Sequence, residues 1–187
     1  PGSIEELTPR NLPGTHSYTI SPDCKWAFHT YSTMEAPQIT ELVSLPEHRT
    51  VRVLADNSPL LRALASLRLG KVERFSVTNR DLAGYRILPP DFDPLKKYPL
   101  LVYIYGEPAG QTVQDQWGGP GYLWHQMLAQ KGYVVVSVDN RGTPAPRGRE
   151  WRKSVYGKIG ILASEDQAAA MHAIRQWPFV DPGRIGI

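Results

Sequence analysis

The stretch YPLLVYIYG, residues 98–106, is apolar almost throughout and rich in β-branched and aromatic side chains. Strict alternation would mark a sheet with one wet face. A nearly unbroken run marks a strand covered on both faces, as in sheets whose connections pass over them as helices. The chain downstream continues that theme. A loop rich in Gly and Gln, GQTVQDQWGGPG (110–121), leads to a predicted helix over YLWHQMLAQKG (122–132). Gly132 closes it, because glycine takes left-handed backbone at a helix end without steric cost. YVVVSVDNRG (133–142) reads as a second buried strand. SEDQAAAMHAIRQW (164–177) predicts a helix opened by a capping box of Ser164 and Gln167, with Glu165 and Asp166 at the positive end of its dipole. After an Asp181-Pro182-Gly183 turn, RIGI (184–187) reads as a third buried strand. Strand, helix, strand, helix, strand predicts the α/β class, with a parallel sheet and helical crossovers.

Upstream the texture changes. VERFSVTN (72–79) and GYRILPP (84–90) read as a hairpin joined by RDLA (80–83). Before it, Ser58 is the expected N-cap of a helix, with Pro59 in its first turn and Leu60, Leu61, Leu64 and Leu67 on one face. From Tyr18 to Asn57 short strands alternate with turns at SPD (21–23) and PEH (46–48). Four strands in about 40 residues is the length of one β-propeller blade.

Composition narrows the function classes. The 187 residues are 41% hydrophobic and 21% charged, ordinary for a globular protein. A net charge of +3 argues against nucleic acid as a partner. The densest basic stretch, residues 141–158, holds six Lys/Arg against one Glu and reads as a solvated helix-and-loop face. No run of 18 apolar residues is present, so no membrane-crossing segment is expected. Cys24, the single cysteine, lies in a turn and excludes an internal disulfide or a multi-cysteine metal site. His16, His29, His48, His125 and His172 are scattered, none three or four positions from a second ligand, so no metal site is expected. His125 and His172 read as packing or surface residues, and Arg141, Glu165 and Asp166 as structural. Neither phosphate-binding glycine motif occurs, and no cofactor is expected.

Several phrases carry a family resemblance: SPDCKW (21–26), VLADN (53–57), ILPPDFDPLKKYPLLVYIYGEP (87–108), YLWHQMLAQKGYVVVSVDNRG (122–142), RGREWRKSVYGKIG (147–160) and VDPGRIGI (180–187). Together they resemble the prolyl oligopeptidase superfamily of serine peptidases, most of all the bacterial members of the dipeptidyl peptidase IV family. The resemblance implies that residues 1–57 are the C-terminal part of a β-propeller, its last blade. Residues 58–187 would be the N-terminal part of an α/β-hydrolase peptidase domain. It further implies that RIGI leads into the G-x-S-x-G nucleophile elbow, so that the chain is a fragment whose Ser, Asp and His lie beyond Ile187. Alone it would then be inactive.

One catalytic element is implied within the chain. The family's Y-G-G-P motif falls on Tyr105-Gly106-Glu107-Pro108, and its tyrosine hydroxyl donates to the oxyanion of the tetrahedral intermediate. Tyr105 would carry that role. Glu107 replaces the motif's second glycine, Cys24 a turn glycine, and RGTPAPRG (141–148) is richer in proline than its counterparts. By resemblance the intact protein would release Xaa-Pro or Xaa-Ala dipeptides from peptide N-termini through an acyl-serine. It would need no metal, could form a homodimer, and would be periplasmic or secreted. Tripeptidyl or acylaminoacyl peptidases of the same superfamily remain alternatives, as does a non-catalytic propeller–hydrolase binding protein.

Overall fold

The computed structural model describes residues 5–77 and 80–187. They form two compact units: residues 5–67 with 114–122, and residues 68–77 and 80–113 with 123–187.

The first unit is an antiparallel sheet of four strands in sequence order: β1 (Thr15–Ile20), β2 (Trp26–Ser32), β3 (Ile39–Ser44) and β4 (Arg49–Ala55). The SPD turn forms as expected. Ser21 Oγ donates to Asp23, and the Cys24 amide donates to Ser21 O at 2.9 Å. Cys24 itself sits at φ +55°, the left-handed backbone that favours glycine. One face of the sheet buries Ala27, His29, Glu41 and Val43. The apolar side chains of Ile20, Trp26, Phe28, Val51 and Val53 lie on exposed positions, and β4 is exposed along its whole length. Helix α1 (Ser58–Ala65) follows. Its N-cap is Asn57 in left-handed backbone, not Ser58. Asp56 explains the shift, since its carboxylate accepts from both the Ser58 amide and the Ser58 hydroxyl and so occupies the side chain expected to cap. Leu64 is buried, whereas Leu61 and Leu67 are exposed.

The second unit is a five-stranded mixed sheet of order β5-β6-β8-β7-β9. Strands β5 (Val72–Val77) and β6 (Leu82–Ile87) make the expected hairpin, although Leu82 and Ala83 are already strand. The Thr78 and Asn79 end of the predicted strand lies outside the described residues. Gly84 faces Phe75 across this pair, and a Cβ there would stand 2.5 Å from the ring, so only glycine fits. Strand β8 (Val134–Val138) is buried at all five positions and pairs antiparallel with β6 and parallel with β7 (Tyr98–Val102). The core gathers Leu82, Leu100, Val134, Val136, Ile174 and Val180.

Three expectations for this unit are corrected. The 98–106 run is strand only to Val102 and alternates in burial instead of being covered at every position. Beyond it the chain leaves the ladder as a loop through Gly106 at φ +79°. Among the described residues, strand β9 (Val180–Gly186) pairs with β7 alone, and it is largely exposed past Val180. An outer strand of this set has no second neighbour to cover its backbone. Helix α4 (Ile161–Ile174) begins before Ser164, with Gly160 as N-cap. Ser164 Oγ donates back to Gly160 O at 2.7 Å, so there is no capping box, and Glu165 and Asp166 fall in the second turn. Helix α2 (Gly119–Gln130) ends as foreseen, with Gly132 at φ +87° donating to Ala129 O. A short helix, α3 (Gly148–Lys153), crosses the basic stretch.

Candidate active site

Tyr105 stands three residues past the C-terminal end of β7, where open α/β sheets place their chemistry. The loop beneath it is fastened through its carbonyls. Ser137 Oγ, inside β8, donates to Tyr103 O at 2.6 Å. Asn140, just after β8, donates from Nδ2 to Gly106 O at 3.4 Å and Arg141 O at 3.0 Å. Gln167 on α4 in turn donates to Val138 O at 2.7 Å and to Asn140 Oδ1 at 3.3 Å. From α3, the Arg152 guanidinium donates to Pro108 O and Gly142 O. The Tyr105 ring lies over Gly110, where an added Cβ would come within 3.1 Å of it.

The side chain is chemically uncommitted. It is 49% exposed, and among the described residues no group hydrogen-bonds its hydroxyl. Two positions apart, Tyr103 and Tyr105 would share a face had the strand continued. Instead Tyr103 packs on His125 at 4.9 Å between ring centroids. A neutral phenol fixed by two dihedrals and free to donate suits an oxygen on which negative charge develops. Glu107 is exposed.

Behind this loop sit buried polar groups. Asp139 accepts from the Thr112 amide at 2.8 Å, the Thr112 hydroxyl at 3.0 Å and the Val113 amide at 3.2 Å. Burial nevertheless pushes its carboxyl above the usual range, against those hydrogen bonds. Burial also raises the Tyr85 phenol, with Tyr103 and Asp139 adding to the effect, and lowers the His125 imidazole. The loop rich in Gly and Gln is therefore tied down at Thr112 and Val113. Farther along it, within the first unit, Asp115 accepts from the Met34 amide and the Trp117 amide donates to Ser32 Oγ.

The other singled-out residues are structural. Asp166 is fully buried and takes a two-pronged contact from Arg141, together with the Arg141 amide and Arg80. Arg147 of the basic stretch stacks on Trp151 at 4.3 Å and pairs with Asp81, so with Arg141 and Arg152 these cations are engaged within the protein. His172 is exposed, as expected. The expectation of scattered histidines does not hold for the first unit. There His16, His29 and His48 converge beside Glu41, because antiparallel register sets Tyr18 opposite His29 and His29 opposite Glu41. Only the pairing of strands, not spacing along the chain, could reveal that cluster.

Comparison with known proteins identifies the class. The prolyl oligopeptidase family matches residues 122–187. Mouse dipeptidyl peptidase 8 is 32% identical over the whole chain, and bovine prolyl endopeptidase FAP is 38% identical over 73% of it. The chain spans only 22% and 18% of the lengths of those two relatives. The crystal structure of Porphyromonas gingivalis dipeptidyl peptidase 4 superposes on 93% of the chain at 38% identity, with a TM-score of 0.86. The match covers 25% of that protein. The chain belongs to the prolyl oligopeptidase family of serine peptidases. Within it, the similarity runs to dipeptidyl peptidases, including a putative dipeptidyl aminopeptidase IV from Bacteroides ovatus (29% identity, TM-score 0.79, over 92% of this chain and 24% of that one). Among the described residues, no helix is long and apolar enough to cross a membrane.

Proposed function

We propose that the intact protein is a serine exopeptidase that releases Xaa-Pro or Xaa-Ala dipeptides from peptide N-termini, with Tyr105 as an oxyanion donor. In this reading residues 1–57 close a β-propeller and residues 58–187 open an α/β-hydrolase domain. Since no G-x-S-x-G occurs in these 187 residues, the reading assigns the serine, aspartate and histidine to sequence outside them. The serine hydroxyl, its proton taken by the histidine, attacks the scissile carbonyl. The carbonyl oxygen gains the electron pair and is met by the Tyr105 hydroxyl. Collapse expels the shortened peptide's amine with the histidine's proton, and water then frees the dipeptide from the acyl-serine.

The observation that carries the reading is Tyr105 itself, braced at a strand end in a dipeptidyl-peptidase-like fold with its hydroxyl free. The bond it donates strengthens as charge develops, so it favours the transition state over bound substrate. In the intact protein Tyr105→Phe should lower kcat on a Gly-Pro chromogenic substrate by roughly 10²–10³-fold, with KM little changed. Phenylalanine keeps the ring over Gly110, so the fold should be unaffected. Tyr103→Phe, the control, should leave kcat nearly intact. Equal small effects at both positions would remove Tyr105 from the reaction.

A further inference from the structure

The buried face of the four-stranded sheet carries a hydrogen-bonded row that can be followed proton by proton. It starts at a carbonyl, Leu12 O, which can only accept. His16 Nε2, 3.1 Å away, must therefore hold a proton. If the His16 ring is neutral, its Nδ1 accepts, and His29 Nε2 at 2.8 Å must donate to it. A neutral His29 then turns the lone pair of Nδ1 toward Glu41 Oε1, 2.9 Å away. In that arrangement two electron-rich atoms meet, and a positive species between them would satisfy both. A proton is one candidate.

A third donor faces the same spot. Ligand atoms of His29, Glu41 and His48 all lie within 4.8 Å of one another. His29 is wholly buried and Glu41 5% exposed, while His48 is half-buried in the turn between β3 and β4. His48 sits at φ +52°, a conformation histidine adopts more readily than most residues but still at some cost, and that backbone accompanies a ring turned onto His29. Each side chain is also held from behind. His16 Nδ1 meets His29 Nε2 at 2.8 Å, Thr50 Oγ1 donates to Glu41 Oε2 at 2.9 Å, and Tyr18 Oη contacts His48 Nε2 at 2.9 Å. Such outer partners are the ones that orient metal ligands.

We propose that His29, Glu41 and His48 form a binding site for one divalent metal ion of the zinc class, tying β2 and β3 to the turn that follows. Two imidazoles and a carboxylate are a donor set that Zn²⁺ accepts, with solvent as the fourth ligand. Zinc ligands stand about 3.4 Å apart at tetrahedral angles, so separations of up to 4.8 Å must close by up to about 1.4 Å, and the 2.9 Å contact of His29 with Glu41 must open by about 0.5 Å. A turn residue such as His48 can supply that movement. The site lies on a different element from Tyr105 and does not depend on the peptidase reading.

Co²⁺ replaces Zn²⁺ in such sites and reports its coordination by visible absorption, so the intact protein, stripped with a chelator, is titrated with Co²⁺ under equilibrium dialysis. Binding is expected at one equivalent for this site, with displacement by Zn²⁺. Glu41→Gln and His48→Asn should each weaken it by roughly 100-fold or more, and Thr50→Val, which acts through Glu41, by about 10–100-fold. Asparagine tolerates the left-handed backbone at position 48, so His48→Asn decides the matter even if Glu41→Gln does not fold. Peptidase kcat should be unchanged in all three. Absence of bound Co²⁺, or equal affinity in wild type and variants, would overturn the proposal and leave a proton between His29 and Glu41.

Discussion

In the five-stranded sheet, β8 buries Val134, Val135, Val136, Ser137 and Val138, whereas in the four-stranded sheet β2 buries Ala27 and His29 and half-exposes Trp26 and Phe28. The first arrangement follows hydropathy. The second reverses it on alternate positions, placing imidazole and carboxylate inside and aromatic rings outside. Burial in a sheet is set by what lies against each face, and the pattern along one strand reports it only when its neighbours belong to the same unit. The valine-rich centre meets its own helices, with Ala170 and Ile174 of α4 among its core. The apolar outer face of the four-stranded sheet has the character of a surface made to be covered, which supports the propeller-blade reading.

The largest effect that would sharpen this contrast is expected at Asp166, the fully buried carboxylate of the five-stranded unit. Asp166→Asn leaves Arg141 and Arg80 facing a neutral amide and should cost about 3–5 kcal/mol in guanidinium unfolding of the intact protein. A loss under about 1 kcal/mol would mean that the pair behaves as a solvated one. Phe28 tests the other sheet. Its ring is 51% exposed here, and as a solvated residue its truncation would cost no more than about 0.5 kcal/mol. If another blade covers that face in the intact protein, Phe28→Ala should cost about 3 kcal/mol. The smaller value would break the propeller reading. The smallest effect concerns the turn before β2. Cys24→Gly removes left-handed strain of about 1–2 kcal/mol but gives back part of it as unfolded-state entropy. A net gain of about 0.5–1 kcal/mol is expected in the same unfolding measurement, and a loss would show that the thiol makes a compensating contact.

What could be read from sequence followed the same division. The valine run of β8, the glycine stop of α2 and the SPD turn depend on local chemistry and stand where expected. Two caps were misplaced because a nearby group competed for each. Asp56 engaged Ser58, and Gly160 opened α4 a turn before Ser164. The 98–106 run was read too long because apolar residues past Val102 serve a loop, Tyr103 resting on His125 and Tyr105 over Gly110. Tyr105 was singled out only through its motif, since a tyrosine at a strand end carries no spacing signal of its own. The cluster of His29, Glu41 and His48 left no trace along the chain, because its members come together through register.

The bracing of the Tyr105 loop also sets how that region tolerates acidity and age. Asn140 and Gln167, which hold Gly106 O and Val138 O, are amides and neither gain nor lose a proton across any pH at which proteins fold. These two bonds therefore hold as acidity changes, whereas the Asp139 carboxyl that ties down Thr112 and Val113, its pKa raised by burial, is the brace that acid can loosen. The weakness of an amide brace is slow hydrolysis. Deamidation of Asn140 would exchange a donor for a carboxylate set against two carbonyl oxygens, and the loop would lose one of its anchors without any residue having been mutated. Burial of Asn140 at 2% exposure keeps water from that amide, so the lifetime of that anchor is tied to the integrity of the core around it.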